Sequence, residues 1–288
     1  MKIKVLGSGG CVALPLPTCQ CEVCNEARNK GVPFSRSGCS IFIEDIKTII
    51  DTPEDSVYQI NRENISEIKN ILYSHWDPDH TLGMRVIEHL KLRWLEILVD
   101  NKPADNKISL YGLYDVIEDL KQIRNKYGSY LGYYESTGLI EIKNINEDES
   151  ITIDNIKISF IPVKTPDTST IFVFEEGERK LIYAPCDIKP FPKDEKTFYN
   201  AECMILGNVI PDEPLKDGYF IPEDNILKQT LFTMEEVIEI KNKYNIKEVI
   251  ITHIEEDWGK SYRDYINLEE KYREQNIKFA YDGMEINL

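Results

Sequence analysis

The stretch YSHWDPDH, residues 73–80, gathers His75, Asp77, Asp79 and His80 within a chain that has only four histidines. Imidazole and carboxylate are donors that zinc, iron and manganese all accept. Four such groups so close together cannot all enter an apolar core without a compensating charge. A metal centre is the chemistry they suit; the plain alternative is a solvated turn in which Asp79 or Thr81 caps the following helix. Two later segments carry donors of the same kind, for KLIYAPCDIKP ends an apolar run at Asp187 and KEVIITHIEED ends one at His253. Alone, Asp187 reads as a turn residue and His253 as a hydrogen-bonded loop histidine. Jointly they predict three strand ends converging on one point. A separate cluster, Cys19, Cys21 and Cys24 in a C-x-C-x-x-C run, offers three thiolates. Such spacing is too tight for an ordinary disulfide framework, and a closed structural zinc site wants four ligands.

The elements that must position these groups follow from periodicity. Strands are predicted at 3–6, 40–44, 48–51 and 68–73, with a hairpin turn at Glu44-Asp45, and again at 151–153, 156–162, 171–175, 180–184, 204–206 and 248–252. Helical spacing is predicted over 81–92 with Thr81 as N-cap, and over 114–126, 233–244 and 262–275. His75, Asp77, Asp79 and His80 therefore lie on a loop at the carboxyl end of a strand, where ligands commonly collect. Two strand-rich halves, each finished by helices, predict sheet packed on sheet with helices outside, an α+β protein. No repeat, low-complexity tract or linker divides the chain. One domain over 1–288 is expected, with a helical and aromatic insertion around 103–150. The stretch KYGSYLGYYES within it reads as an insertion packed on the sandwich, with a lid over the site as the alternative.

Composition narrows the class. The formal charge of −16 argues against a general nucleic-acid binder, which needs surplus Lys and Arg. No segment approaches the ~18 uninterrupted apolar residues of a membrane span. The amino terminus enters a strand pattern directly, without the regions of a signal peptide, and the odd count of seven cysteines favours a reducing setting. A cytoplasmic location is expected, with a small-molecule substrate, no nucleic-acid or membrane partner, and a homodimer as the assembly allowed for. Gly7, Gly9 and Gly10 do not make a dinucleotide loop, because Val12 stands at the third glycine position of G-x-G-x-x-G. They read as a turn.

The order GSGG, IIDT at 49–52, SHWDPDH, CD at 186–187 and TH at 252–253 resembles the metallo-β-lactamase fold over nearly the whole chain. LGSGG followed by C-x-C-x-x-C and RSGCS at 36–40 resembles, more narrowly, the branch containing phosphoribosyl cyclic phosphodiesterase and a pyrroloquinoline-quinone accessory protein. The resemblance implies an αββα sandwich with two divalent ions (zinc, manganese or iron) at one edge. His75, Asp79, His80, Asp187 and His253 fall on its ligand positions, with Asp187 as the bridging carboxylate. Asp77 stands where a histidine is usual. A further histidine expected near VKTPDTST is absent, with Thr165 or Asp167 about where it should be, and His89 lies in the helix after the motif. The cysteines would hold a structural zinc, with Glu256 or Cys39 as fourth ligand.

The activity so implied is metal-dependent hydrolysis of small phosphodiesters, cyclic ones included, by a metal-bound hydroxide that Asp79 orients while ligating. Lys164, Tyr183 and Lys189 are the protic groups left for a general acid. Two other classes stay open: an iron-dependent redox or oxygen-handling protein, motivated by Asp77, and a degenerate member that binds without turnover. The shift from imidazole to oxygen donors moves metal preference from zinc toward iron or manganese.

Overall fold

The structure, a computed structural model, describes residues 1–102 and 106–288. Two seven-stranded sheets face each other. The first runs in the order Glu285–Asn287, Lys2–Gly7, Ser40–Ile43, Thr48–Ile50, Asn70–Leu72, Ile108–Leu113, Ile140–Ile145. The second runs Ile277–Phe279, Glu248–Ile251, Cys203–Leu206, Arg179–Ala184, Thr168–Glu176, Ile156–Lys164, Ser150–Ile153. Each joins an antiparallel portion to a parallel one: the change comes at Thr48–Ile50 in the first sheet and at Arg179–Ala184 in the second.

Strand alternation explains the layering. In the second sheet Phe172, Phe174, Leu181, Tyr183, Ile205 and Ile250 join the core shared with the first sheet. Their neighbours Ile171, Val173, Ile182, Met204, Val249 and Ile251 pack with Val237, Tyr265 and Leu268 of the helices Met234–Lys243 and Tyr262–Lys271, and with Tyr244 at the end of the first. A side-chain period of two thus gives this sheet two buried faces, which is why its strands read as continuous apolar runs. Each fully buried side chain of this size stabilises the fold by roughly 1.5–3 kcal/mol. Helices cover the outer faces, so the αββα sandwich is the architecture.

Several boundaries differ from expectation. The helix predicted over 81–92 is three pieces: Pro78–Thr81, a 3-10 turn Leu82–Arg85, and Val86–Lys91. Pro78, with its φ already helical, starts the helix, so Asp77 and not Thr81 takes the N-cap position. The helix predicted over 114–126 stops at Leu120, because 124–129 turns back as a short ladder between Arg124–Asn125 and Gly128–Ser129. Residues 103–150 are not an insertion on a finished sandwich. Ile108–Leu113 and Ile140–Ile145 extend the first sheet in parallel from Asn70–Leu72, with the helices Tyr114–Leu120 and Tyr130–Ser136 between them; residues 103–105 lie outside the described part. Leu131 and Tyr134 are buried in the large apolar cluster built around the first sheet, so the tyrosine-rich stretch is anchored there. Tyr127, Tyr130 and Tyr133 are exposed, bordering a cleft of 730 Å³ with Arg85 and Glu88.

One buried polar knot ties the amino-terminal loop to the opposite end of the chain. Asp282 accepts from Ser8 N and Oγ at 2.9 Å each, from Ser37 N at 2.9 Å and Oγ at 2.6 Å, and from Arg62 Nη1 at 3.0 Å. A carboxylate so supplied with donors fixes the GSGG and RSGCS loops relative to each other.

Candidate metal centre

The strand Asn70–Leu72 delivers residues 73–80 to the carboxyl end of the first sheet, and the strands Arg179–Ala184 and Glu248–Ile251 deliver Cys186, Asp187 and His253 from the second. Three sets of donor atoms there lie within 4.8 Å of one another: Asp79, His80 and His253; His75, His80 and Cys186; and His75, Asp77 and Asp187. All six residues expected at the centre are therefore brought together. The middle is different. Cys186 is grouped with both His75 and His80, whereas Asp187 is grouped with His75 and Asp77. The chain turns at Asp187 through a left-handed φ of 49°, which separates the directions of the two neighbouring side chains.

A carboxylate stands behind each central ring. His80 Nδ1 lies 2.9 Å from Asp51 Oδ2, and Asp51 also accepts from Ser74 N at 2.8 Å and Ser74 Oγ at 2.7 Å. His253 Nδ1 is turned toward Glu255 Oε1 at 3.3 Å. With each Nδ1 facing a carboxylate, both Nε2 atoms face inward, 3.1 Å apart on rings inclined by only 7°. Donors at ~2.05 Å from one tetrahedral ion lie roughly 3.3 Å from each other, so this pair suits a shared cation. Asp79 Oδ2 completes the set at 3.2 Å from His253 Nε2 and 3.4 Å from His80 Nε2. His75 Nδ1 meets Ser74 Oγ at 2.8 Å, while its buried Nε2 has no hydrogen-bond partner. An orphaned buried nitrogen beside carboxylates is the mark of a ligand position.

Electrostatics point the same way. Burial would depress His253, yet Cys186, Asp79 and Glu255 hold it well above its ordinary value. Burial would raise the Cys186 thiol, yet His253, His75 and His80 hold it well below. Asp79, though its burial works against ionisation, is kept well below the carboxylate range by His253 and His80. Asp187 is pushed up to about 6 by burial and then by Cys186. The cluster carries a negative potential that a cation relieves.

Sequence reasoning did not single out Cys186, Asp51, Glu255 or Asn208. Glu255 is held by Cys11 N at 3.1 Å and Val12 N at 3.3 Å, and a Cβ on Gly10 would stand 2.1 Å from its Oε1. The glycine-rich turn thus seats the carboxylate that faces His253. Thr165 and Asp167 form a turn, with Thr165 Oγ1 bonded to the Asp167 carbonyl at 2.9 Å and the Asp167 side chain exposed. His89 is exposed on its helix. Of the protic groups, Lys164 pairs with Glu147 on the surface, Tyr183 is buried against Cys39, and Lys189 Nζ is spent on Glu236 and two carbonyls. None is left free for a leaving group.

Cys19, Cys21, Cys24 and Glu256 form a second four-donor set within 4.8 Å. Cys21 caps the helix Glu22–Lys30, accepting from Cys24 N at 3.4 Å, and Cys24 Sγ lies 3.1 Å from the buried Glu256 Oε1. Lys216 Nζ reaches Glu256 Oε2 at 2.7 Å and Cys19 Sγ at 3.8 Å. Of the two fourth-ligand candidates, Cys39 is corrected: its buried sulfur faces Tyr183 and Thr252 at 3.6 Å, in the sandwich core. Glu256 is the residue that the fold brings to the thiols.

Residues 49–254 match the family model of the beta-lactamase superfamily domain. No curated protein matches the chain. Among solved structures, a diphosphatase of the PhnP family superposes with a TM-score of 0.69 at 22% identity, covering 99% of this chain and 96% of its own. PqqB from Methylobacterium extorquens, in its zinc-bound form, gives 0.69 at 16% identity with all of both chains covered (100% each). The short form of human tRNase Z gives 0.64 at 15% identity, covering 100% of this chain and 99% of its own. At these identities the likeness establishes the fold. Among the described residues no helix is long and apolar enough to cross a membrane.

Proposed function

The chain belongs to the beta-lactamase superfamily, and from that premise we propose that it is a metal-dependent hydrolase of small phosphodiesters, cyclic ones included. The observation that carries the reading is the convergence of His75, Asp77, Asp79, His80, Cys186, Asp187 and His253 around inward-facing Nε2 atoms and the orphaned His75 Nε2. Divalent ions bound there would polarise a phosphoryl oxygen and lower the pKa of a water. The chain's own groups do the rest. Asp79, kept ionised by its two histidines, accepts a hydrogen bond from the attacking water and aims it. Asp51 holds His80 in the tautomer that presents Nε2 to the centre, and Glu255 stands 3.3 Å from the outer nitrogen of His253. Trp76, partly exposed beside the motif, borders a hollow of 300 Å³ with Gln122 and Ile123 and offers a stacking face to a ring-bearing substrate.

The test is hydrolysis of a panel of cyclic and linear phosphodiesters and diphosphates by metal-reconstituted protein beside Asp79→Asn. Turnover of a phosphodiester that falls about 10²-fold or more in the variant supports the reading. Equal rates in both proteins discard it.

A second reading, iron-dependent redox chemistry, draws on the carboxylate-rich set of His75, Asp77 and Asp187. Metal analysis of anaerobically isolated protein separates the two: a colourless protein without oxygen reactivity removes the redox reading. The set of three cysteines with Glu256 supports a structural zinc.

A further inference from the structure

Cys186 differs from every other donor of the centre. Its sulfur is grouped within 4.8 Å of donor atoms on both His75 and His80. His80 in turn belongs to the set with Asp79 and His253, and His75 to the set with Asp77 and Asp187. The two sets therefore have one close sulfur neighbour between them. We propose that Cys186 is a bridging thiolate between two unlike metal positions, one built from Asp79, His80 and His253, the other from His75, Asp77 and Asp187.

Three observations carry this beyond proximity. The Cys186 side chain is buried, at 5% exposure, so it is not a surface thiol that happens to lie near a cluster. Asn208 Nδ2 points its N–H at the sulfur at 3.3 Å, so the sulfur is an acceptor there. Gly207, just before Asn208, has no room for a side chain: a Cβ would stand 1.6 Å from the Pro185 carbonyl oxygen and 2.9 Å from His253 Cβ. The strand end carrying Cys186, the Asn208 donor and His253 are thereby clamped together. On metal uptake the proton shared between Cys186 and the histidines around it passes to solvent, and the thiolate lone pairs bond to the ions.

A bridging sulfur also shifts the choice of metal. Three carboxylates alone favour manganese or iron, but a thiolate between the ions favours zinc or iron and disfavours manganese. The bridge rests on the metal-binding part of the reading under Proposed function, not on the phosphodiester substrate.

The experiment loads cobalt(II) into chelator-stripped full-length protein and into Cys186→Asp, and compares sulfur-to-cobalt charge-transfer absorption at equal cobalt content. The cysteine cluster contributes equally to both, so the difference reports Cys186. Loss of part of that absorption in Cys186→Asp, with the ligand-field bands of the remaining ions retained, is the expected result. Equal charge-transfer intensity per cobalt overturns the proposal. Should Cys186→Asp fail to fold, cadmium-113 resonance of the native chain decides: two active-site signals, both deshielded by sulfur, support the bridge, and signals of oxygen and nitrogen type overturn it. Cobalt bound at the cysteine cluster alone overturns both this proposal and the metal reading. An intact charge-transfer difference in a protein inert to every phosphodiester overturns the substrate reading and leaves the thiolate standing.

Discussion

His80 and His253, 173 residues apart in sequence, bring their Nε2 atoms to 3.1 Å with nearly parallel rings. A carboxylate stands behind each ring, Asp51 hydrogen-bonded to His80 and Glu255 at 3.3 Å from His253 Nδ1. Two imidazole lone pairs aimed at one point repel each other unless a proton or a cation lies between them. The carboxylates and the thiol around His253 favour a proton in that place, and a cation bound there would replace it.

Asp51 is fully buried and touches no substrate-accessible space, so its effect is on His80. Asp51→Asn replaces an acceptor of three hydrogen bonds by a group that must also donate, leaving Ser74 or His80 with a mismatched partner. Active-site zinc affinity, read by chelator competition, should weaken about 10- to 100-fold, the usual effect of removing an outer-shell carboxylate. Unchanged affinity would mean that His80 needs no orienting group.

Cys24→Ser tests the second cluster. Zinc content should fall by the equivalent held there and the melting temperature should drop, since the apolar cluster beside the loop before Glu22–Lys30 is small, built around Leu14, Cys24 and Ala27. Metal at the active centre should stay. An unchanged melting temperature with full zinc content would contradict a structural zinc.

Gly207→Ala places a methyl group against the Pro185 carbonyl and the base of His253. Something must shift, at about 1–3 kcal/mol of stability by the usual cost of overpacking. Because the displaced groups carry Cys186 and His253, metal affinity should fall with it. Denaturant unfolding and chelator competition on the same sample check both, and a neutral substitution would contradict the close packing.

Glu236 gives a pH signature away from the metals. Burial would raise it, but the Lys189 ion pair and the N–H of Thr233, which closes the capping box on Met234–Lys243, hold it below its ordinary 4.5. Its folded state releases the proton more readily than the unfolded chain. The stabilising contribution is thus fully present above pH 4.5 and is lost as pH falls through the depressed folded value. Glu236→Gln should be less stable at neutral pH and show a shallower acid limb in melting temperature against pH; identical limbs would contradict the assignment.

Much of this was legible in the chain. Strands with two buried faces announce themselves as apolar runs, so the loop at 73–80 and the ends at 187 and 253 could be placed at the carboxyl edge of sheets. The cysteine spacing marked its own cluster. What stayed hidden has a common cause: the signal was too small or too local. Cys186 lies in an apolar-looking run, and choosing it over Asp187 depends on a single-residue register that reverses which way a side chain points. Asp51 and Glu255 are ordinary acidic residues until the fold puts an imidazole beside each. Ile108–Leu113 and Ile140–Ile145 were missed because ISLYGL and IEIKNI mix apolar residues with polar ones and sit among tyrosine-rich helices.

The most direct measurement counts zinc by native mass spectrometry in the full-length chain and in a His80→Ala, His253→Ala double variant, both folded by circular dichroism. The centre described above predicts more ions in the native protein than in the variant, with the equivalent at the cysteine cluster retained in both. Equal zinc counts would contradict it.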